Sequence, residues 1–91
     1  MSVEIAAAWL RAPVTGWGQT GFGRGEVYAS ADEAIKAFCD NYSLTDCKAW
    51  PKARAGNAVV MRLEMRSEMQ IAHPEWNQAP YEGELTLVEG D

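Results

Sequence analysis

The sequence predicts an α+β fold: one helix lying across an antiparallel sheet of four to five strands, in the order β-β-α-β-β-β. Two patterns carry that expectation. From Asn57 to Gln70, Val59, Met61, Leu63, Met65 and Met69 alternate with Val60, Arg62, Glu64, Arg66, Glu68 and Gln70. A period of two cannot build one apolar face on a helix, so this run reads as a long strand with one buried and one wet side. From Ala31 to Asn41, Ala34, Ile35, Phe38 and Tyr42 recur at amphipathic helical spacing, with Cys39 beside them. Ser30 and Glu33 open that helix as a capping box, and Asp32 and Glu33 sit at the positive end of its dipole.

The other elements follow in order. Val3, Ile5, Ala7 and Trp9 alternate as a strand does, although Ala6-Ala7-Ala8 favours helix by propensity. The alternation decides for strand. Phe22 to Ala29 reads as a strand leading into the helix cap, and Thr45 to Trp50 as a short strand closed by Pro51. Pro51 to Asn57 is then the turn of a hairpin, and Gly83 to Val88 a last strand alternating Leu85 and Leu87 with polar neighbours. Trp9 and Trp50, within strand-like sequence, read as core residues. One helix across the sheet is the simplest cover for so many apolar strand faces.

A chain of 91 residues holds one small α+β domain, 1–91. Its core must be thin: 14 residues are alanine, and Leu, Ile, Val and Phe total only 16. Four Met, four Trp and three Tyr supply the missing bulk.

Several chemistries lack their residues. The N-terminal segment has no basic region before its apolar run, and no stretch reaches the roughly 18 apolar residues of a membrane helix. A soluble, cytoplasmic protein without membrane contact is expected. Cys39 and Cys47 make no disulfide framework and read as reduced thiols. With His73 the sole histidine, only Cys39, Cys47 and His73 could converge on a metal, and no paired short spacing announces such a site. The same residues are the only nucleophile–base candidates. No metal, no cofactor and no enzymatic activity are expected.

Gly16-Trp17-Gly18-Gln19-Thr20-Gly21 matches the dinucleotide-binding spacing G-x-G-x-x-G letter for letter. That motif works where the glycines lead straight into a helix whose N-terminus holds the pyrophosphate. Here Phe22-Gly23-Arg24-Gly25 follows, which opens no helix readily. The segment reads as a twisted or bulged hairpin in which glycine allows positive φ and close backbone approach.

Charge is unevenly placed within the net −5. Residues 1–66 hold seven acids and all eight basic residues, whereas residues 67–91 hold six acids and no base. If Gly83–Val88 pairs with Asn57–Gln70, Glu82 and Glu84 meet Arg62 and Arg66 across the strands. The alternative is an acidic surface that steers a basic protein partner into contact. Direct nucleic-acid binding is not expected, because phosphates need a basic footprint.

The candidate contact site combines both features. Pro74 and Pro80 bound a loop presenting Trp76 and Tyr81, flanked by Glu75, Glu82 and Glu84, with Trp17 and Arg24 of the glycine segment as a second edge. The functional expectation is a small acidic protein-interaction module, an inhibitor or adaptor covering a partner's basic or nucleic-acid-binding surface. By size and charge alone the analogy is to small acidic inhibitors of bacteriophage and mobile elements, anti-CRISPR proteins among them. The alternative is a structural subunit that self-associates, as a homodimer through an exposed strand edge.

Overall fold

Six antiparallel strands and one long helix make up the fold in a computed structural model that describes residues 2–13 and 16–90. The elements are β1 (Ser2–Ala12), β2 (Gly16–Thr20), β3 (Val27–Tyr28), α1 (Ala31–Asn41), β4 (Leu44–Ala55), β5 (Ala58–Ser67), α2 (Glu68–Ala72), a 3₁₀ turn (Pro74–Trp76) and β6 (Tyr81–Gly90). Across the sheet the order is β2-β1-β6-β5-β4, and β3 shares the β1 edge with β2. The class and the order of elements are those the sequence predicts, and the glycine segment adds a sixth short strand.

α1 begins where its cap predicts. The Ser30 hydroxyl accepts the Glu33 N–H at 3.2 Å, and the Glu33 carboxylate accepts the N–H of Ala29 at 3.3 Å. The buried stripe Ala34, Ile35, Phe38 and Cys39 lies on Val3, Ile5 and Ala8 of β1, Val59, Leu63 and Met65 of β5, and Leu85 and Leu87 of β6. Phe38 meets Phe22 and Tyr42 edge to face, with ring centroids 5.6 and 5.2 Å apart. These aromatic contacts widen a core short of large aliphatic residues.

After β2 the glycine segment turns back along β1. The N–H of Gly25 donates to the Ile5 carbonyl at 2.9 Å, and the Ile5 N–H donates to Glu26 at 3.0 Å. Gly23 adopts φ +62°, and a β-carbon there would stand 2.9 Å from Ile5 Cδ1. Positive φ and close approach are thus the reasons for glycine here.

Four expectations need correction. First, β1 carries a bulge between Ile5 and Ala7, which shifts its register against β6. One extra residue flips every later side chain to the opposite face. Val3, Ile5 and Ala8 are therefore buried while Trp9 is exposed, not core. Second, Trp50 is exposed as well, and β4 runs past Pro51 to Ala55, leaving Gly56 and Asn57 as the turn. β4 is the sheet's edge, where a residue without an N–H costs no ladder bond.

Third, the alternating run ends at Ser67 rather than Gln70. Ser67 and Gln70 form a reciprocal capping box that opens α2, so Met69 lies exposed instead of continuing the buried face. Fourth, only Val27 and Tyr28 of the expected strand Phe22–Ala29 pair with β1. Gly23 and Gly25, both at positive φ, hold the preceding residues in a turn.

Candidate functional site

A single helix covers a single face of the sheet. The register of β2, β1, β6, β5 and β4 builds the other face row by row. Gln19, Trp9, Glu84, Arg62 and Trp50 stand opposite one another in sequence across β2, β1, β6, β5 and β4. The adjacent row is Trp17, Arg11, Glu82, Glu64 and Lys48, and the row on the other side is Ala7, Thr86, Val60 and Ala53. All belong to the alternation opposite the helix-covered residues.

Three of the four tryptophans thus share one open face, with Trp9 39%, Trp17 42% and Trp50 42% exposed. Ion pairs fill the space between them. Glu82 takes Arg11 at 2.9 Å and also Arg62, while Glu84 takes Lys52 at 2.6 Å. The Arg62 guanidinium also stands 5.4 Å from the centre of the Trp17 ring, within cation–π range. Arg62 therefore links a carboxylate to an aromatic anchor and fixes both. Beyond the ion pairs, Trp9, Lys52, Ala53, Val60, Glu84 and Thr86 line a groove of about 320 Å³. Further along the sheet Arg54 pairs with Glu89, and this hydrogen bond holds the Glu89 carboxyl below its ordinary value.

The seven sequence-predicted contact residues fall in four places. Glu82, Glu84 and Trp17 lie on the open face. Glu82 and Glu84 are engaged by Arg11, Arg62 and Lys52, so Arg62 takes a predicted role while Lys52 and Arg11 stand where Arg66 was expected. Trp76 and Glu75 belong to the 3₁₀ turn, where Trp76 is 47% exposed and stacks on His73 with centroids 4.2 Å apart and planes within 7°. His73 Nδ1 lies 3.3 Å from a Glu75 carboxylate oxygen. Tyr81, opposite Met65, packs half-buried against the core. Arg24 is exposed in the turn beside Ile5, near the other end of β1.

The loop carrying Trp76 is held by Gln70, the only buried polar side chain among the described residues. Its amide oxygen accepts the Ser67 N–H at 3.1 Å, and its nitrogen donates to the Ala79 carbonyl at 2.8 Å. Arg66, Gln70, Ile71, His73, Trp76 and Gln78 help to line a cavity of about 280 Å³ there.

Sequence reasoning missed Trp9, Trp50, Arg11 and Lys52 as surface-site residues. The bulge hid the first and third, because alternation read without it assigns Trp9 to the face of Val3 and Ile5. A signal did exist for the face as a whole: one helix cannot cover both sides of a sheet this wide. Gln70 was also legible, since Ser67-Glu68-Met69-Gln70 is a capping-box sequence.

Fold and site together define an α+β sheet protein with one main helix and a bare, tryptophan-bearing face. Comparison with protein-family models, with curated proteins and with solved structures finds no match. Among the described residues no helix is long and apolar enough to cross a membrane.

Proposed function

We propose that this chain is a protein-interaction module that docks through the open face of its sheet. The observation that carries the reading is the gathering of Trp9, Trp17 and Trp50, each about two-fifths exposed, on one face around an ion-pair network. Tryptophan is among the residues that dominate interface energetics, since a large rigid ring loses little conformational freedom on burial. The paired arginines and carboxylates between the rings are already ordered, which lowers the entropic cost of docking.

The partner is a protein with a basic surface. The net charge of −5 draws such a partner to the chain at long range. The face itself, with Arg11, Lys48, Lys52 and Arg62 beside Glu64, Glu82 and Glu84, is close to balanced and docks through its tryptophans. Nucleic acid suits the face less well, because Arg11, Lys52 and Arg62 are each engaged by a carboxylate rather than offered to phosphates. A broad, rigid face covers a surface more readily than it encloses a small ligand, which favours an inhibitor or adaptor that masks a basic, nucleic-acid-binding region of its partner.

Self-association through a strand edge has less support. β4 forms one edge, and it carries Pro51, Lys48, Lys52, Arg54 and two register shifts. These features blunt strand-to-strand pairing. The other edge is shared by β2, of five residues, and the two-residue β3.

Affinity capture with the wild-type chain and a Trp9→Ala/Trp50→Ala variant tests the reading, followed by measurement of Kd with the purified partner. A basic protein held by the wild type and bound about thirtyfold or more weakly by the variant, at matched melting temperature, supports it. A partner that binds both equally overturns it. So does a wild-type dimer that the substitutions split into monomers, which assigns the face to self-association instead.

A further inference from the structure

The two cysteines lie on the helix side of the sheet, away from the tryptophan face, and come from different elements. Cys39 is buried in the last turn of α1, and Cys47 is exposed on β4. Their sulfurs are 3.0 Å apart, about 1 Å beyond the length of an S–S bond. The backbone is arranged to permit this approach. The β4–β5 register shifts between Thr45 and Lys48, so Asp46 and Cys47 sit in the irregularity, and Asp46 adopts φ +52°. Ser43, at φ +55°, turns the chain back from α1 toward β4.

We propose that Cys39 and Cys47 form a reversible dithiol–disulfide site whose oxidant is a small-molecule disulfide of the glutathione type. The Cys47 thiolate, which solvent can reach, attacks one sulfur of the small disulfide. A mixed disulfide forms on Cys47, and one small thiol leaves. The Cys39 sulfur then attacks Cys47 Sγ, closing the Cys39–Cys47 bond and expelling the second small thiol. The two protein thiols lose two electrons, the small disulfide gains them, and the two cysteine protons end on the two small thiols.

Burial, and then the hydrogen bond with Cys47, push the Cys39 thiol up to about 12. Cys47, exposed, is therefore the sulfur that meets the small disulfide first, and buried Cys39 is the one that closes the bond. The bond would tie the end of α1 to the start of β4 without touching Trp9, Trp17 or Trp50. This inference stands apart from the docking function proposed above.

The test equilibrates the reduced full-length chain, without air, across mixtures of reduced and oxidised glutathione, then quenches with acid and an alkylating agent. Intact mass is read under denaturing conditions. The expected result is one transition, from a monomer alkylated twice to an unalkylated monomer lighter by two hydrogens. Cys39→Ser should stop at a glutathione adduct on Cys47, and Cys47→Ser should leave Cys39 unmodified. The oxidised wild type should also melt at a higher temperature, because the bond restricts the unfolded chain. A wild-type chain that ends as the Cys47 adduct with Cys39 still alkylatable overturns the proposal. Two free thiols at every mixture, or a disulfide between two chains, also overturn it.

Discussion

Gly83 of β6 lies directly against the Phe38 ring of α1. A β-carbon there would lie 3.1 Å from Phe38 Cε1, 3.2 Å from Met65 Cε and 3.4 Å from the Trp9 carbonyl oxygen. Phe38 and Met65 are fully buried and enclosed on every side, so neither can yield cheaply. Gly83→Ala should cost about 1–3 kcal/mol through overpacking, and denaturant unfolding measures it. An unchanged midpoint would mean that α1 is not seated on the sheet at this point. Cys39 gives a second residue-scale test, in pH. Its thiol is raised above the ordinary 9.0, because the folded environment disfavours the charged form. A raised value contributes stability fully below the unfolded value and loses it as pH rises toward the folded one. With reductant present, the stability of the wild type relative to Cys39→Ala should decline as pH rises from 9 toward 12. A constant difference across that window would show that water reaches the thiol.

At the scale of elements, β5 is the strand whose two faces were most legible. Leu63 is fully buried beneath the helix, while Glu64 lies on the open face opposite Glu82 and Lys48. Leu63→Asp should remove about 4 kcal/mol or more and unfold most of the protein, whereas Glu64→Lys should stay within about 0.5 kcal/mol. Equal losses of melting temperature would contradict the assignment of faces. The α1 cap, the alternation of β5 and β6, and the strand character of β1 could all be read from local pattern, because each follows from contacts within a few residues. The positions of Trp9 and Trp50 could not. They depend on a bulge at Ala6 and on β4 being an edge, and pairing with distant strands sets both. Deleting Ala6 tests this dependence. Without the extra residue, either Trp9 and Arg11 turn under the helix or Val3 and Ile5 turn to solvent. Either outcome sacrifices core, so the variant should lose cooperative unfolding. A variant that melts like the wild type would show that the bulge does not set the phase of β1.

At the scale of the molecule, two exposed aromatic regions compete for the role of contact surface: the open face with its three tryptophans, and the 73–81 loop with Trp76. The molecule extends 46 × 21 × 20 Å, so each region can be altered without rebuilding the other. Trp76 contacts His73 in a stack and is nearly half exposed, so Trp76→Ala should move the melting temperature only slightly. Trp9→Ala should also be mild in stability, since its ring lies outside the core. Their effects on binding should diverge. If the face docks as proposed, Trp9→Ala weakens the complex about thirtyfold or more, mostly through faster dissociation, while Trp76→Ala changes it little. The reverse order would place the contact on the proline-bounded loop. Salt separates anchoring from steering in the same experiment. A chain of net charge −5 meeting a basic partner should associate more slowly as ionic strength rises, and Glu75→Lys should flatten that dependence without altering dissociation. Glu75 suits this test because it is exposed, and among the described residues neither a lysine nor an arginine pairs with it. An association rate indifferent to salt would rule out the basic partner while leaving the tryptophan face in place, since apolar anchors act without charge.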